Sequence, residues 1–193
     1  MLLNFKEQII QDFQIAEFDL KKSEIIVIEI PSGAKFREIG KELTEIITKL
    51  NPEFKYVEHF KQESFINRFF PLTVEKFLKN CTGNSIYKNK IYEIEWMKPY
   101  INVHSIAGSL RRKLQLYKTL TETKNIIIDL AGVDPVGGKE IYEILKQNLS
   151  DNGTIILYDT CNEFENECTK FIRLKYVEED ENWKEYNELM VNK

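Results

Sequence analysis

The sequence predicts an α/β fold built on a largely parallel sheet flanked by helices, and three observations predict it. Two short apolar runs, Ile25 to Ile30 and Ile126-Ile127-Ile128, are continuous rather than alternating, the pattern of strands covered on both faces. Each is followed by a turn and then by apolar residues at three- and four-residue spacing, the period of an amphipathic helix. A third apolar run, Thr154 to Tyr158, follows the second helix, so strands and helices alternate along the chain.

Taken in order, the first strand closes at Pro31-Ser32-Gly33, three residue types that favour a turn. The helix after it is read from Ile39, Leu43, Ile46, Ile47 and Leu50, which share one face. The second unit turns at Gly132 to Pro135 and continues in a helix using Ile141, Ile144, Leu145 and Leu149. Asp151-Asn152-Gly153 ends that helix ahead of the third strand. Between the two units, Ser64 to Leu120 reads as mainly helical, with Leu72, Val74, Phe77 and Leu78 in one segment and Leu110, Leu114, Leu116 and Leu120 in another. This reads as a helical arm inserted into the sheet domain. The acidic tail from Glu178 carries a helical stripe of Trp183, Tyr186, Leu189 and Met190, expected to pack on the protein's own body.

A length of 193 residues with 42% apolar residues supports one core, hence one domain over 1–193. The net charge is −4 and no basic stripe stands out, which argues against a nucleic-acid partner. No uncharged apolar run approaches the roughly 18 residues of a membrane span, and no charged-then-apolar leader opens the chain, so a soluble, cytoplasmic protein is expected. Cys81, Cys161 and Cys168 are odd in number and lack metal-ligand spacing, and are expected to be free thiols. His59 and His104 have no cysteine beside them, and Glu58 adjoins His59 instead of lying a helical turn away, so no metal site is expected.

With these units in place, the chain resembles the ATP-binding subunits of ABC transporters, every landmark falling in order. The stretch FDLKKSEIIVIEIPSGAKFREIGKELTEI is similar to that family's opening strand, phosphate loop and first helix, with Pro31, Ser32, Gly33 and Ala34 as the remnant of the loop. FKQESFINRFFPLTVEKFL looks like the glutamine loop, with Gln62 in the glutamine position. SIAGSLRRKLQLYKTL resembles the signature segment, Ile106-Ala107-Gly108-Ser109-Leu110 standing where the family reads LSGGQ. Asn125 to Asp129 matches the Walker B strand, Ala131 to Pro135 the loop after it, and YDTC the end of the switch-histidine strand.

The resemblance implies a P-loop NTPase-like fold, with a core over about 1–62 and 116–193 and a helical arm over about 63–115. It also implies a pseudo-ATPase, because the positions that should read Gly-Lys-Ser/Thr-Thr read Lys35-Phe36-Arg37-Glu38. A ring replaces the lysine that neutralises the β- and γ-phosphates. Lys35 and Arg37 are the remaining cations, read as solvated charges at a helix start rather than anion ligands. Ala107 lacks the signature hydroxyl, Leu130 stands where a carboxylate would polarise water, and Cys161 stands where the histidine belongs. Asp129 keeps the carboxylate that would hold magnesium, and Asp134 keeps the loop aspartate. The expectation is no cofactor and no useful ATP or magnesium binding.

The implied partners are a membrane permease subunit, a competent ABC ATPase subunit, or both, with a dimer as one arrangement and a peripheral place at the inner face of the cell membrane. A degenerate half-site in a heterodimer is the neighbouring reading. Phe65, Phe69 and Phe70 lie in a segment where the family grips a helix of the membrane subunit and are the candidate docking residues, the alternative being that Phe69 and Phe70 pin the loop to the chain's own helical arm. A second resemblance, of NIIIDLAGVDPVGGKEIYEILKQNLSDNGTIILYD to STAS regulatory modules, leaves about half of the chain unexplained and puts Asp134-Pro135 where those modules carry a phosphorylatable residue.

Overall fold

A computed structural model describes residues 1–60, 71–79, 81, 85–94 and 97–177. Four three-residue strands open the chain: β1 (Leu3–Phe5), β2 (Gln8–Ile10), β3 (Phe13–Ile15) and β4 (Phe18–Leu20). β1 pairs with β4 and β2 with β3, both antiparallel. The β2–β3 connection turns on Gln11 and Asp12, both at φ 48°, the left-handed conformation that two-residue hairpin turns require. Leu3, Phe5, Phe13, Ile15, Phe18 and Leu20 alternate with exposed or half-buried residues and point into one core.

The central sheet uses β5 (Ile25–Glu29), β6 (Lys55–Tyr56), β7 (Asn125–Asp129), β8 (Thr154–Asp159) and β9 (Lys170–Arg173), in the spatial order β6-β7-β8-β5-β9. All its pairings are parallel, as the continuous apolar runs predict. β10 (Lys175–Tyr176) leaves this sheet and pairs with β3. One face, with Ile26, Ile28, Ile127, Ile156 and Tyr158, is covered by α1 (Ala34–Leu50) and the N-terminal strands. The other face, with Val27, Ile126, Ile128, Ile155 and Leu157, is covered by α2 (Val74–Leu78), α3 (Ser85–Glu93), α4 (Gly108–Glu122) and α5 (Pro135–Ser150). The period-2 alternation of strand side chains thus feeds two cores.

The first helix begins at Ala34, a full turn before the apolar stripe read from sequence, because Phe36 already belongs to its buried face. α2 is capped by Thr73, whose side chain accepts from the Lys76 N–H, and α5 by Asp134, which accepts from the Gly137 N–H with Pro135 at the first helical position. Val74, Leu78, Tyr87, Ile91 and Val103 share a core with Leu114, Leu116 and Leu120, and α4 runs unbroken through residues 115 and 116. Gln62, Phe65, Phe69 and Phe70, with the apolar stripe of the tail, lie outside the described residues. Among the described residues, no helix is long and apolar enough to cross a membrane.

Candidate functional site at the ends of the central strands

In open parallel sheets, ligands bind beyond the carboxyl ends of the strands, and β5, β7 and β8 end side by side here. Beyond β5, Ile30 donates its N–H to the Asp159 carbonyl (2.8 Å), and Pro31, Ser32 and Gly33 then lead into α1. Gly33 sits at φ 103°, open to glycine and strained for other residues. Phe36 is 7% exposed and packs with Ile39 and Leu43, so its ring is absorbed into the core. Lys35 turns to the N-terminal hairpin: its Nζ lies 2.8 Å from the Asp12 carboxylate and over the rings of Phe13 and Tyr176. Lys35 stays exposed, and its charge is paired with Asp12 at the surface. Its pKa is raised, chiefly by the hydrogen bond to Asp12. Arg37 and Glu38 are exposed.

The strongest polar cluster surrounds Asp129, at the end of β7, which is only 3% exposed. Arg112, reaching up from α4 and equally buried, donates from Nη2 to Asp129 Oδ2 (3.2 Å) and from Nε to the Asp129 carbonyl (3.0 Å). Its Nη1 serves the carbonyls of Val57 (2.7 Å) and Glu58 (3.2 Å), so one guanidinium staples the ends of β6 and β7. The Tyr56 hydroxyl also donates to Asp129, His59 Nε2 lies 2.9 Å from both carboxylate oxygens, and the Ala131 N–H donates to Oδ1 (2.8 Å). Burial pushes the Asp129 carboxyl up, yet the His59 hydrogen bond and the Arg112 charge outweigh it and bring the pKa to about 2. Asp129 is therefore an anion already neutralised and hydrogen-bonded by its own chain. Burial, then the Asp129 charge, raises the pKa of Tyr56, keeping its hydroxyl a donor.

The remaining landmarks converge on the loop after β7. Gly132 is at φ 74°, and the start of α4 comes so close that a Cβ on Gly108 would meet the Gly132 carbonyl at 3.1 Å. Ala107 precedes α4 with no side-chain cap. The Ser109 hydroxyl donates to Asp134 Oδ2 (2.7 Å), while Asp134 Oδ1 accepts from the Gly137 N–H (2.9 Å). Those bonds, Gly137 first, lower the Asp134 pKa. Leu130 is half-buried against the helical core. Cys161 is exposed, its Sγ 3.5 Å from Asp159 Oδ2, and burial raises both groups' pKa values.

An Mg-bound triphosphate takes a carboxylate with free lone pairs, a cation at the β- and γ-phosphates and a hydroxyl at the metal. Among the described residues the carboxylate is spoken for by Arg112, Tyr56, His59 and Ala131, the lysine position is a core phenylalanine, and Lys35 serves Asp12. The donor set does not fit that group. Tyr56, His59 and Arg112 escaped the sequence reading, which took His59 only as a poor metal ligand. Their one signal was Arg-Arg-Lys inside the apolar stripe of α4.

No family model and no curated protein sequence matches the chain. Solved structures do. An ATP-binding subunit of an ABC transporter superposes with a TM-score of 0.59 at 14% identity, covering 91% of this chain and 85% of that one. CbiO1 from Clostridium perfringens, described as part of the ABC transporter complex cbiONQ, gives 0.60 at 15% identity with the same coverage. A nucleotide-free ATP-binding cassette from an ABC transporter gives 0.61 at 12% identity, covering 91% of this chain and 87% of its own. Coverage this wide includes the helical region that a STAS-like module leaves over. The chain has the fold of the ATP-binding subunits of ABC transporters.

Proposed function

We propose that the chain is a non-hydrolytic ATP-binding-cassette subunit, an interaction or regulatory component of an ABC transporter. The carrying observation is the closed shell around Asp129: a carboxylate that accepts from a buried guanidinium, a phenol, an imidazole and a backbone N–H has no lone pair left for magnesium. Phe36 in the core and the Lys35–Asp12 pair support the same reading from the phosphate side. Leu130 offers no base where water would be activated. With chemistry gone, the function left to the fold is contact, with a membrane permease subunit, a competent ATPase subunit, or both. The place of CbiO1 in a transporter complex supports such partners. As a half-site for a competent ATPase the chain is the poorer candidate, since Ala107 has no hydroxyl and Ser109 spends its own on Asp134.

Titration calorimetry with Mg-ATP tests the reading. No saturable heat is expected at micromolar nucleotide. A dissociation constant near 1 μM, about −8 kcal/mol, overturns it.

A further inference from the structure

One face of α4 carries Gly108, Arg111, Arg112 and Gln115, spaced i, i+3, i+4 and i+7, and all four line one cavity of about 210 Å³. Its other walls are His59 and Phe60, in the chain leaving β6, and the loop after β7. The space is smaller than the roughly 300–1,000 Å³ of organic-ligand sites, so it suits a small ion and not a cofactor.

No acidic side chain lines this cavity. Arg112 is matched by Asp129 (3.2 Å), and Glu58 lines the separate cavity along α1. The charge of Arg111 is left over: its side chain is half-buried and, among the described residues, has no ion pair and no hydrogen bond. Gln115 is the second sign. It is only 7% exposed, it lines the cavity, and among the described residues its amide makes no hydrogen bond. Buried amides are ordinarily paired, so the partner it lacks belongs in the space it lines. Arg112 spends four of its five N–H donors, one from Nε, two from Nη1 and one from Nη2, which leaves one on Nη2. Unspent donors therefore come from three side chains within one turn of a single helix.

We propose that this cavity binds a small oxyanion of the sulfate or phosphate kind, held by the Arg111 fork and the Gln115 amide N–H groups beside the remaining Arg112 N–H. Such an ion has oxygens enough to accept from all three, and the guanidinium fork matches two of them at once. The inference does not rest on the proposed loss of Mg-ATP binding. None of residues 31–38 lines the cavity, and the donors are side chains that follow the signature-like segment 106–110.

The probes, sodium sulfate and sodium phosphate without nucleotide or magnesium, are titrated calorimetrically into the full chain at ionic strength fixed with sodium chloride. At least one binds saturably, with a dissociation constant of about 1 mM or tighter. Arg111→Gln and Gln115→Leu each weaken it about tenfold. Lys22→Gln removes an equal charge from an exposed position before β5, at the opposite end of the sheet, and leaves binding unchanged. The side-chain amide signals of Gln115, assigned by triple-resonance NMR, shift as the binding salt is added. The proposal falls if neither salt binds saturably, if Lys22→Gln weakens binding as much as Arg111→Gln, or if binding leaves the Gln115 amide signals unmoved. Should Gln115→Leu fail to fold, Arg111→Gln and those signals still decide.

Discussion

Replacing Arg112 by methionine is the sharpest test of the cluster at the strand ends. The guanidinium is 3% exposed and donates to three main-chain carbonyls and the Asp129 carboxylate at 2.7–3.2 Å. Methionine keeps an unbranched apolar stem but donates nothing, so a carboxylate 3% exposed loses its counter-charge and three carbonyls lose a donor. Removing one member of a buried pair costs about 3–5 kcal/mol. For a domain of this size each kcal/mol moves the melting temperature by about 2–4 °C, so a fall of about 6–20 °C is expected. Urea unfolding with Arg112→Met, Asp129→Leu and the double variant measures the coupling, and the double variant should cost less than the sum of the singles. A single-variant loss under about 1 kcal/mol, or additivity in the double variant, would refute the claim that Asp129 is committed to its own chain.

The same cluster fixes an acid dependence. The Asp129 pKa is about 2 in the fold against an ordinary 3.8, so its contribution is complete above about pH 4 and is lost as pH falls toward 2; it amounts to about 2 kcal/mol. Urea midpoints of wild type should drop across that window more steeply than those of Asp129→Asn. Millimolar Mg²⁺ should leave the wild-type melting temperature unchanged, whereas a site filled at about 100 times its dissociation constant would add about 2.7 kcal/mol. Leu130→Glu should release no phosphate from ATP above background, and should cost about 1–3 kcal/mol because the new carboxylate enters a half-buried apolar place. Gly137→Ala should destabilise by about 1–3 kcal/mol, since its Cβ would fall 2.5 Å from the Ser109 Cβ where α4 meets α5; a melting curve matching wild type would contradict that packing.

The parallel sheet was legible because strands buried on both faces must be continuously apolar, and β5, β7 and β8 are. Their helices were legible from period alone. β1 to β4 were not: each is three residues long, too short to establish a period, and the hairpin between β2 and β3 turns on Gln11-Asp12 without the glycine that marks such turns. β6, two residues long, is fixed by its pairing to Ile126 and Ile127, a non-local fact. The Lys35 partner was not legible for the same kind of reason, as Asp12 is 23 residues away on a hairpin the sequence did not announce. Arg112 was invisible because the stripe on α4 has one apolar face, whereas the helix is enclosed on nearly all sides and buries Arg112, Lys113 and Gln115 as well.

That enclosure bears on the proposed loss of nucleotide binding. A carboxylate at the end of β7 needs a positive partner whatever the fold is used for, because left alone at 3% exposure it would be costly to bury. Arg112 supplies the charge from inside the chain, and it also donates to the carbonyls of Val57, Glu58 and Asp129. Phe36 likewise turns a position suited to a phosphate-binding cation into core for α1. Arg112 and Phe36 thus satisfy the strand ends from within the chain, which is the physical basis of the proposal that the subunit's task is contact and not turnover.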